Sequence, residues 1–225
     1  MKILAVIPAF CEESRVAETV RGVMPFVQTT LVIDDGSRDG TAEAARAAGA
    51  VVLRHAVNRG QGAALKTGTV AALRFGADAI VHVDADGQHD PSAIPSLIEP
   101  LRSGTHDIVF GSRFLGMDPE AIPSSRRALL IGARVFNRLA LGIPRSVTDP
   151  QSGLRAMTAE AARSIPFSQD RMAHASEILR LVTRSRLRWM EVPARVRYTP
   201  EALAKGQRSS DALKIVWQLL MGSFQ

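Results

Sequence analysis

The stretch Ala79–His89, A-I-V-H-V-D-A-D-G-Q-H, limits what this chain can fold into more than any other. Ile80, Val81 and Val83 form a short apolar run that predicts a buried strand, and Asp84, Asp86, Gln88 and His89 follow where such a strand ends. Aspartate is a poor strand former and costly to bury without a partner, so two of them at one strand terminus point to a ligand. Alternation along an extended chain puts Asp84 and Asp86 on one side, with oxygens able to share a hard cation. In open α/β sheets, ligands gather beyond the carboxyl ends of the strands. A plain polar turn, with Asp90 as helix N-cap and Pro91 at the first helical position, accounts for Gly87, Asp90 and Pro91 but not for Asp84 and Gln88.

The flanking sequence supplies the sheet. Ile3–Ile7 predicts a strand, ended by Pro8, which has no donor for a ladder. Glu12–Met24 carries valines at helical spacing, and Leu31–Ile33 predicts a second strand that closes on Asp34 and Asp35. Asp39 is placed to cap an alanine-rich helix through Ala48. Val51–Leu53 is a third strand, Asn58–Gly62 a glycine-rich loop before a helix to Phe75, Pro91–Arg102 a helix and Ile108–Gly111 a fifth strand. This alternation predicts an α/β fold with a mostly parallel sheet flanked by helices. The strand ends Pro8-Ala9-Phe10, Asp34-Asp35, Asp84/Asp86 and Ser112-Arg113 then share one edge of that sheet.

Beyond residue 112 the pattern changes. Pro119–Pro123 reads as a loop, Arg126–Leu141 as an amphipathic helix, and T-D-P-Q-S-G at 148–153 as a polar turn before Leu154–Met157. A helix over Ala175–Arg186, an extended segment Trp189–Tyr198, a polar stretch Pro200–Ser210 and an amphipathic helix Ala212–Phe224 complete the chain. No linker or repeat divides it, so a single domain is expected, with 1–112 and 113–225 as its halves. The first half has a net charge of −3 and the second +9, which suits a metal site beside a surface that meets anions.

Several classes are disfavoured. The first βα turn carries no glycines, so the dinucleotide fingerprint is absent, as is the P-loop motif. Zinc-type Cys/His spacings and local Ser-His-Asp or Cys-His pairings are missing, and the single Cys11 forms no internal disulfide. The basic pI of about 10.4 admits nucleic acid, but Tyr198 and two tryptophans give little to stack on, so nucleic acid is not the expected partner. No signal peptide or membrane span is expected, which predicts a cytoplasmic protein with room for peripheral membrane contact. Among the histidines only His89, beside the acidic cluster, is singled out; His55, His82, His106 and His174 read as structural or surface residues. Phe10 and Asp35, at neighbouring strand ends, offer a nucleobase an aromatic face and a carboxylate. Gly60 and Gly62 fit a tight turn before a helix as well as they fit a ligand contact, and Lys66, one turn into that helix, fits a solvated charge.

Six segments in order carry a resemblance: I-P-A-F-C-E-E at 7–13, V-I-D-D-G-S-R-D-G-T at 32–41, N-R-G-Q-G-A-A-L-K-T-G at 58–68, D-A-D-G-Q-H at 84–89, G-S-R-F at 111–114 and T-D-P-Q-S-G-L-R at 148–155. Together they resemble the family 2 glycosyltransferases of the GT-A fold, in the branch of dolichyl-phosphate mannose synthase and its bacterial polyprenyl-phosphate relatives. The resemblance implies a Rossmann-like domain that transfers a hexose, with inversion, from a GDP-mannose- or UDP-glucose-type donor to a polyprenyl phosphate. A saccharide hydroxyl as acceptor, or a nucleotide-sugar-binding protein without catalysis, are the alternatives. It implies nucleotide contacts at Pro8, Ala9, Phe10, Glu12, Asp35, Gly62, Lys66, Asp84 and Ala85, and Mg²⁺ or Mn²⁺ at Asp84, Asp86 and Gln88. Asp86, Arg113 and Asp149 take the catalytic positions, and Ser152, Arg197, Lys205 and Gln207 the acceptor side. A lipid-phosphate or saccharide acceptor and a homodimer complete the expected partners. Phe10 stands where the family has tyrosine, and Ser209-Ser210 lacks the lysine of the usual serine-lysine pair.

Overall fold

A computed structural model describes residues 1–115, 131, 132, 134, 135, 138, 139, 142–171 and 173–197. The expected 119–123 loop, the Pro200–Ser210 stretch and the closing helix over 212–224 lie outside them, as do Lys205 and Gln207. The described part of the expected Arg126–Leu141 helix is helical.

Seven strands form one sheet: β1 (Ile3–Ala9), β2 (Thr29–Asp34), β3 (Val51–Arg54), β4 (Ala79–His82), β5 (Ile108–Ser112), β6 (Arg155–Thr158) and β7 (Trp189–Pro193). Their order across the sheet is β3-β2-β1-β4-β6-β5-β7. β6 is antiparallel to both β4 and β5, and the other pairs are parallel. The central strand β1 is buried at every position, as expected of a parallel strand covered on both faces and read in sequence as one unbroken apolar run.

Besides the described part of the 126–141 helix, the helices among the described residues are α1 (Val16–Val23), α2 (Thr41–Ala47), α3 (Gln61–Arg74), α4 (Ile94–Arg102), α5 (Ala159–Ser164) and α6 (His174–Arg184). Alternation along β1 splits the core in two. Ile3, Ala5, Ile7 and Ala9 pack with Val16 and Val20 of α1, Ala45 of α2 and Leu97 and Ile98 of α4. Leu4 and Val6 face the other way, onto Ala64 and Leu65 of α3, Ala161 of α5 and Ile178 and Val182 of α6.

Several boundaries differ from the sequence reading, two of them for a clear physical reason. Pro8 does not end β1: the strand runs to Ala9, with Pro8 level with Ile33 and Ala9 with Asp34. Val6 accepts from Val83 on the β4 side, and Ala9 accepts from Asp35 on the β2 side. Pro8 therefore points its missing donor toward β4, whose pairing has already ended at His82. Likewise α1 starts at Val16 rather than Glu12, because the Glu12 carbonyl closes a turn onto Arg15 and Val16 first.

α3 lies close on the sheet because Gly68 has no side chain. A Cβ there would sit 2.2 Å from Cγ1 of Val6 and 3.0 Å from Cγ1 of Ile33, both in the core. Gly68→Ala is therefore expected to destabilise the protein by about 1–3 kcal/mol through overpacking. Urea denaturation checks this; an unchanged midpoint would mean that α3 is free to lift away.

Candidate active site at the carboxyl edge of the sheet

β1, β2, β4 and β5 run parallel, so their carboxyl ends share one edge, and the polar strand ends collect there. After β4 the chain gives Asp84 and Asp86 in a turn. Asp84 Oδ1 accepts from Nε2 of Gln61, the first residue of α3, at 2.7 Å, and its Oδ2 lies 3.1 Å from Nε2 of His89. Asp86 accepts from the backbone N–H and side-chain amide of Gln88. Burial pushes the Asp84 carboxyl up, but the hydrogen bond and charge of His89, with the Arg155 charge behind them, outweigh it and leave Asp84 below its ordinary value. Burial and then the Asp84 charge push Asp86 up. A divalent cation would relieve that repulsion. Among the described residues no group of three or more His, Cys, Asp or Glu side chains forms an all-protein cage. Two neighbouring carboxylates without a full protein cage fit the way Mg²⁺ and similar hard ions are held beside phosphates.

β6 supplies the wall of this site. His82 pairs with Arg155 and Val81 with Ala156 across the antiparallel ladder. Continuing that register past the strand ends sets Asp84 opposite Gly153, where a Cβ would lie 2.0 Å from Asp84 Oδ2. The reversed strand thus carries the 148–153 turn onto the carboxylates. Arg113, just past β5, pairs with Asp149 of that turn at 2.6 Å, its backbone N–H donates to the same Oδ2 at 3.1 Å, and its guanidinium reaches the Gln151 carbonyl. Both residues are buried. Ser152 is buried too, its hydroxyl donating to the Leu154 carbonyl. Glu191, on β7, accepts from the Thr148 N–H and hydroxyl and from the Asp149 N–H. Arg197 is exposed, but its N–H donates to the Gln88 carbonyl at 2.7 Å, and Val196 bridges to His89, so this segment borders the Asp84–Asp86 turn.

At the ends of β1 and β2, Phe10 is 47% exposed beside buried Pro8 and Ala9. Cys11 has a φ of 54°, a left-handed conformation uncommon for such a residue, and its N–H donates to the Ser37 hydroxyl. Glu12 pairs with Arg15 at 3.4 Å, and its N–H donates to Thr41. Asp34 accepts from the Ser37 N–H and pairs with Arg54. Asp35 accepts from the N–H groups of Arg59 and Gly60 and lies 2.7 Å from Nδ1 of His55, so this carboxylate pins the glycine-rich loop. Gly62 is buried against the Gln169 carbonyl, and Ala85 is buried with its carbonyl accepting from Thr19. Lys66 is exposed and lines an open groove of about 700 Å³ with Leu53, Val70 and Phe75.

Beneath Asp84 lies a polar cluster inside the core. The Nε of Arg155, which can only donate, meets His82 Nδ1 at 3.1 Å. The proton of His82 therefore sits on Nε2 and points to the Thr69 hydroxyl at 3.0 Å, which donates in turn to the Leu65 carbonyl. His82 is neutral: burial first and the Arg155 charge second hold it well below its ordinary value. Burial and then Arg155 likewise push His174, at the start of α6, down to about 4. Burial lowers Arg155 itself to about 10.

The structure thus brings Asp84, Asp86, Gln88, His89, Gly153 and Arg197 to one place, with Asp149 and Ser152 in the adjoining turn and Arg113 paired to it from the end of β5. His82, His174, Arg155 and Glu191 were not singled out by sequence reasoning. Their signal was a titratable residue inside an apolar strand or at a helix start, as in A-I-V-H-V and W-M-E-V-P.

The fold is a mostly parallel sheet with one reversed strand, and paired carboxylates stand at its carboxyl edge. The sequence profile of Glycosyl transferase family 2 matches residues 4–162, and the chain belongs to that family. The UDP-N-acetylglucosamine–dolichyl-phosphate N-acetylglucosaminyltransferase of Methanococcus voltae is 30% identical over 240 residues, covering 97% of this chain and 95% of the relative. An undecaprenyl-phosphate mannosyltransferase of Micrococcus luteus is 34% identical over 173 residues, covering 73% of this chain and 70% of the relative. The glucosyl-3-phosphoglycerate synthase of Mycobacterium tuberculosis, in complex with Mn²⁺ and UDP-glucose, superposes with a TM-score of 0.74 at 24% identity, over 97% of this chain and 76% of the other. No helix among the described residues is long and apolar enough to cross a membrane.

Proposed function

We propose that this glycosyltransferase moves a hexose from a nucleoside-diphosphate sugar of the GDP-mannose or UDP-glucose type to a polyprenyl phosphate, with a divalent cation and with inversion. One observation carries the choice of acceptor: Asp149 is buried in an ion pair with Arg113 at 2.6 Å. With Oδ2 accepting from the Arg113 Nε–H and backbone N–H and Oδ1 from the Gln151 N–H, this carboxylate is engaged in holding its neighbours rather than placed to take a proton from an acceptor. A hydroxyl acceptor needs a base, whereas a phosphate is already a nucleophile at neutral pH. The names of the Methanococcus voltae and Micrococcus luteus relatives point to the same class of acceptor.

Asp84 and Asp86 would hold Mg²⁺ or Mn²⁺, with Gln88 steadying Asp86. When bound, the cation supplies Lewis-acid stabilisation of the negative charge that develops on the departing diphosphate. The chain's own part is placement. Asp84 is fixed by Gln61 and His89, and Phe10 offers the nucleobase an aromatic face. Asp35 keeps the 59–60 loop at the base side, and Ser152 and Arg197 flank the acceptor approach.

The test is thermal denaturation with GDP- and UDP-sugars in Mn²⁺, Mg²⁺ or chelator. At about a hundred times its Kd the true donor should add roughly 2.7 kcal/mol, or about 5–10 °C for a chain of this size. That gain is expected only with metal and only with Asp86 intact; stabilisation that survives in Asp86→Ala overturns the metal assignment. Incubation with a polyprenyl phosphate should then yield a lipid-linked sugar of inverted anomeric configuration. Transfer only to saccharide hydroxyls would favour the alternative acceptor.

A further inference from the structure

We propose that Arg155 is a positioning residue of the donor site, a buried cation that rivets β6 to β4 and fixes Asp84 from behind. The inference rests on reading the Asp84–Asp86 edge as the donor site. Arg155 is 1% exposed and is among the largest fully buried side chains of the protein. Its Nε bonds His82, and its Nη2 is buried with no hydrogen-bond partner. A guanidinium in a core costs several kcal/mol in desolvation, and an apolar residue of similar volume usually serves stability as well or better. Stability therefore does not account for it.

Geometry does. His82 and Arg155 are directly opposed across the antiparallel pair, so their side chains share the face covered by α3. Asp84 lies two residues beyond His82, and Gly153 two residues before Arg155, and this second pair is in contact. The His82–Arg155 bond is thus the last side-chain tie before the site, one step of the same face from the Asp84–Gly153 contact. His82 is held in its turn by Thr69 of α3, the helix whose first residue, Gln61, donates to Asp84. Gln61, the support of the carboxylate other than His89, thus stands on the helix that Thr69 ties to this cluster. The Arg155 charge also favours the ionised form of Asp84.

The test compares wild type, Arg155→Met and Arg155→Lys by isothermal titration with UDP and with GDP in the presence of Mn²⁺, and by thermal denaturation without ligand. Arg155→Met is expected to keep or exceed the wild-type melting temperature while losing at least tenfold in nucleotide affinity. Arg155→Lys, which keeps the charge, is expected to recover part of that affinity. A purely structural residue would instead lower melting temperature and leave the affinity of the folded fraction unchanged, which overturns the proposal. Both variants failing to fold also overturns it, since Arg155 would then be a folding residue. If wild type binds neither nucleotide, the donor-site reading itself falls; if wild type binds and Arg155→Met binds equally well, only the role of Arg155 falls.

Discussion

Gly153→Ala is expected to abolish metal-dependent donor binding while leaving the fold in place. A Cβ at position 153 would lie 2.0 Å from Oδ2, 2.6 Å from Cγ and 2.8 Å from Oδ1 of Asp84, closer than any real Cβ contact. Neither side can yield freely. The ladder between β4 and β6 fixes both backbones up to two residues away, and the carboxylate is tethered through Gln61 and His89. The cheapest relief is for the Asp84 side chain to swing out, which breaks both hydrogen bonds and removes one of the two carboxylates from the site. Displacing a catalytic group by about 1 Å commonly costs on the order of 10² in rate. Turnover is expected to fall by at least about that factor, with stability lowered by about 1–3 kcal/mol from overpacking. Far-ultraviolet circular dichroism and nucleotide titration with Mn²⁺ separate these effects. A variant that binds donor and metal as wild type does would show that Asp84 is not needed where it stands.

Much of this arrangement was legible in the sequence, for identifiable reasons. Parallel strands buried on both faces leave continuous apolar runs, so β1, β2 and β4 declared themselves, and their shared direction placed Phe10, Asp35 and Asp84 on one edge. His89 beside Asp84 was also legible, because five residues of turn can return a side chain to its origin. The reversal of β6 was not. R-A-M-T is too short to show a period, and its direction depends on where the preceding turn lands. Yet that reversal sets Gly153 against Asp84 and Arg155 against His82. The roles of Glu191 and of Asp35 as an anchor for the 59–60 loop were hidden for a related reason: each side chain closes onto a segment distant in sequence. Pro8 misled because a missing donor matters only on the side where a neighbouring strand needs it.

Acidification is expected to destabilise the protein well before its ordinary carboxylates titrate. His174 is buried at the start of α6, with burial and the Arg155 charge holding it at about 4 against an ordinary value of 6.5. Between these values the unfolded chain takes up the proton and the native chain does not, so stability falls as pH drops through 6.5 and the loss is complete near 4. A gap of about 2.5 pH units at 1.36 kcal/mol each amounts to roughly 3 kcal/mol. His82, held low by the same two causes, adds a loss of the same sign. Asp84, below its ordinary value, contributes a further loss only as pH falls into the carboxylate range, whereas Asp86, above it, is protonated first in the native state and partly offsets that loss. The melting temperature should therefore drop by about 6–12 °C between pH 7 and pH 4. His174→Gln, whose amide can still donate to the Arg171 carbonyl that His174 Nδ1 meets at 2.7 Å, should flatten the slope between pH 6.5 and 4. A wild-type melting temperature that is level down to pH 5 would mean that the cluster beneath Asp84 admits water or a counter-ion, and that its histidines titrate as they do in the unfolded chain.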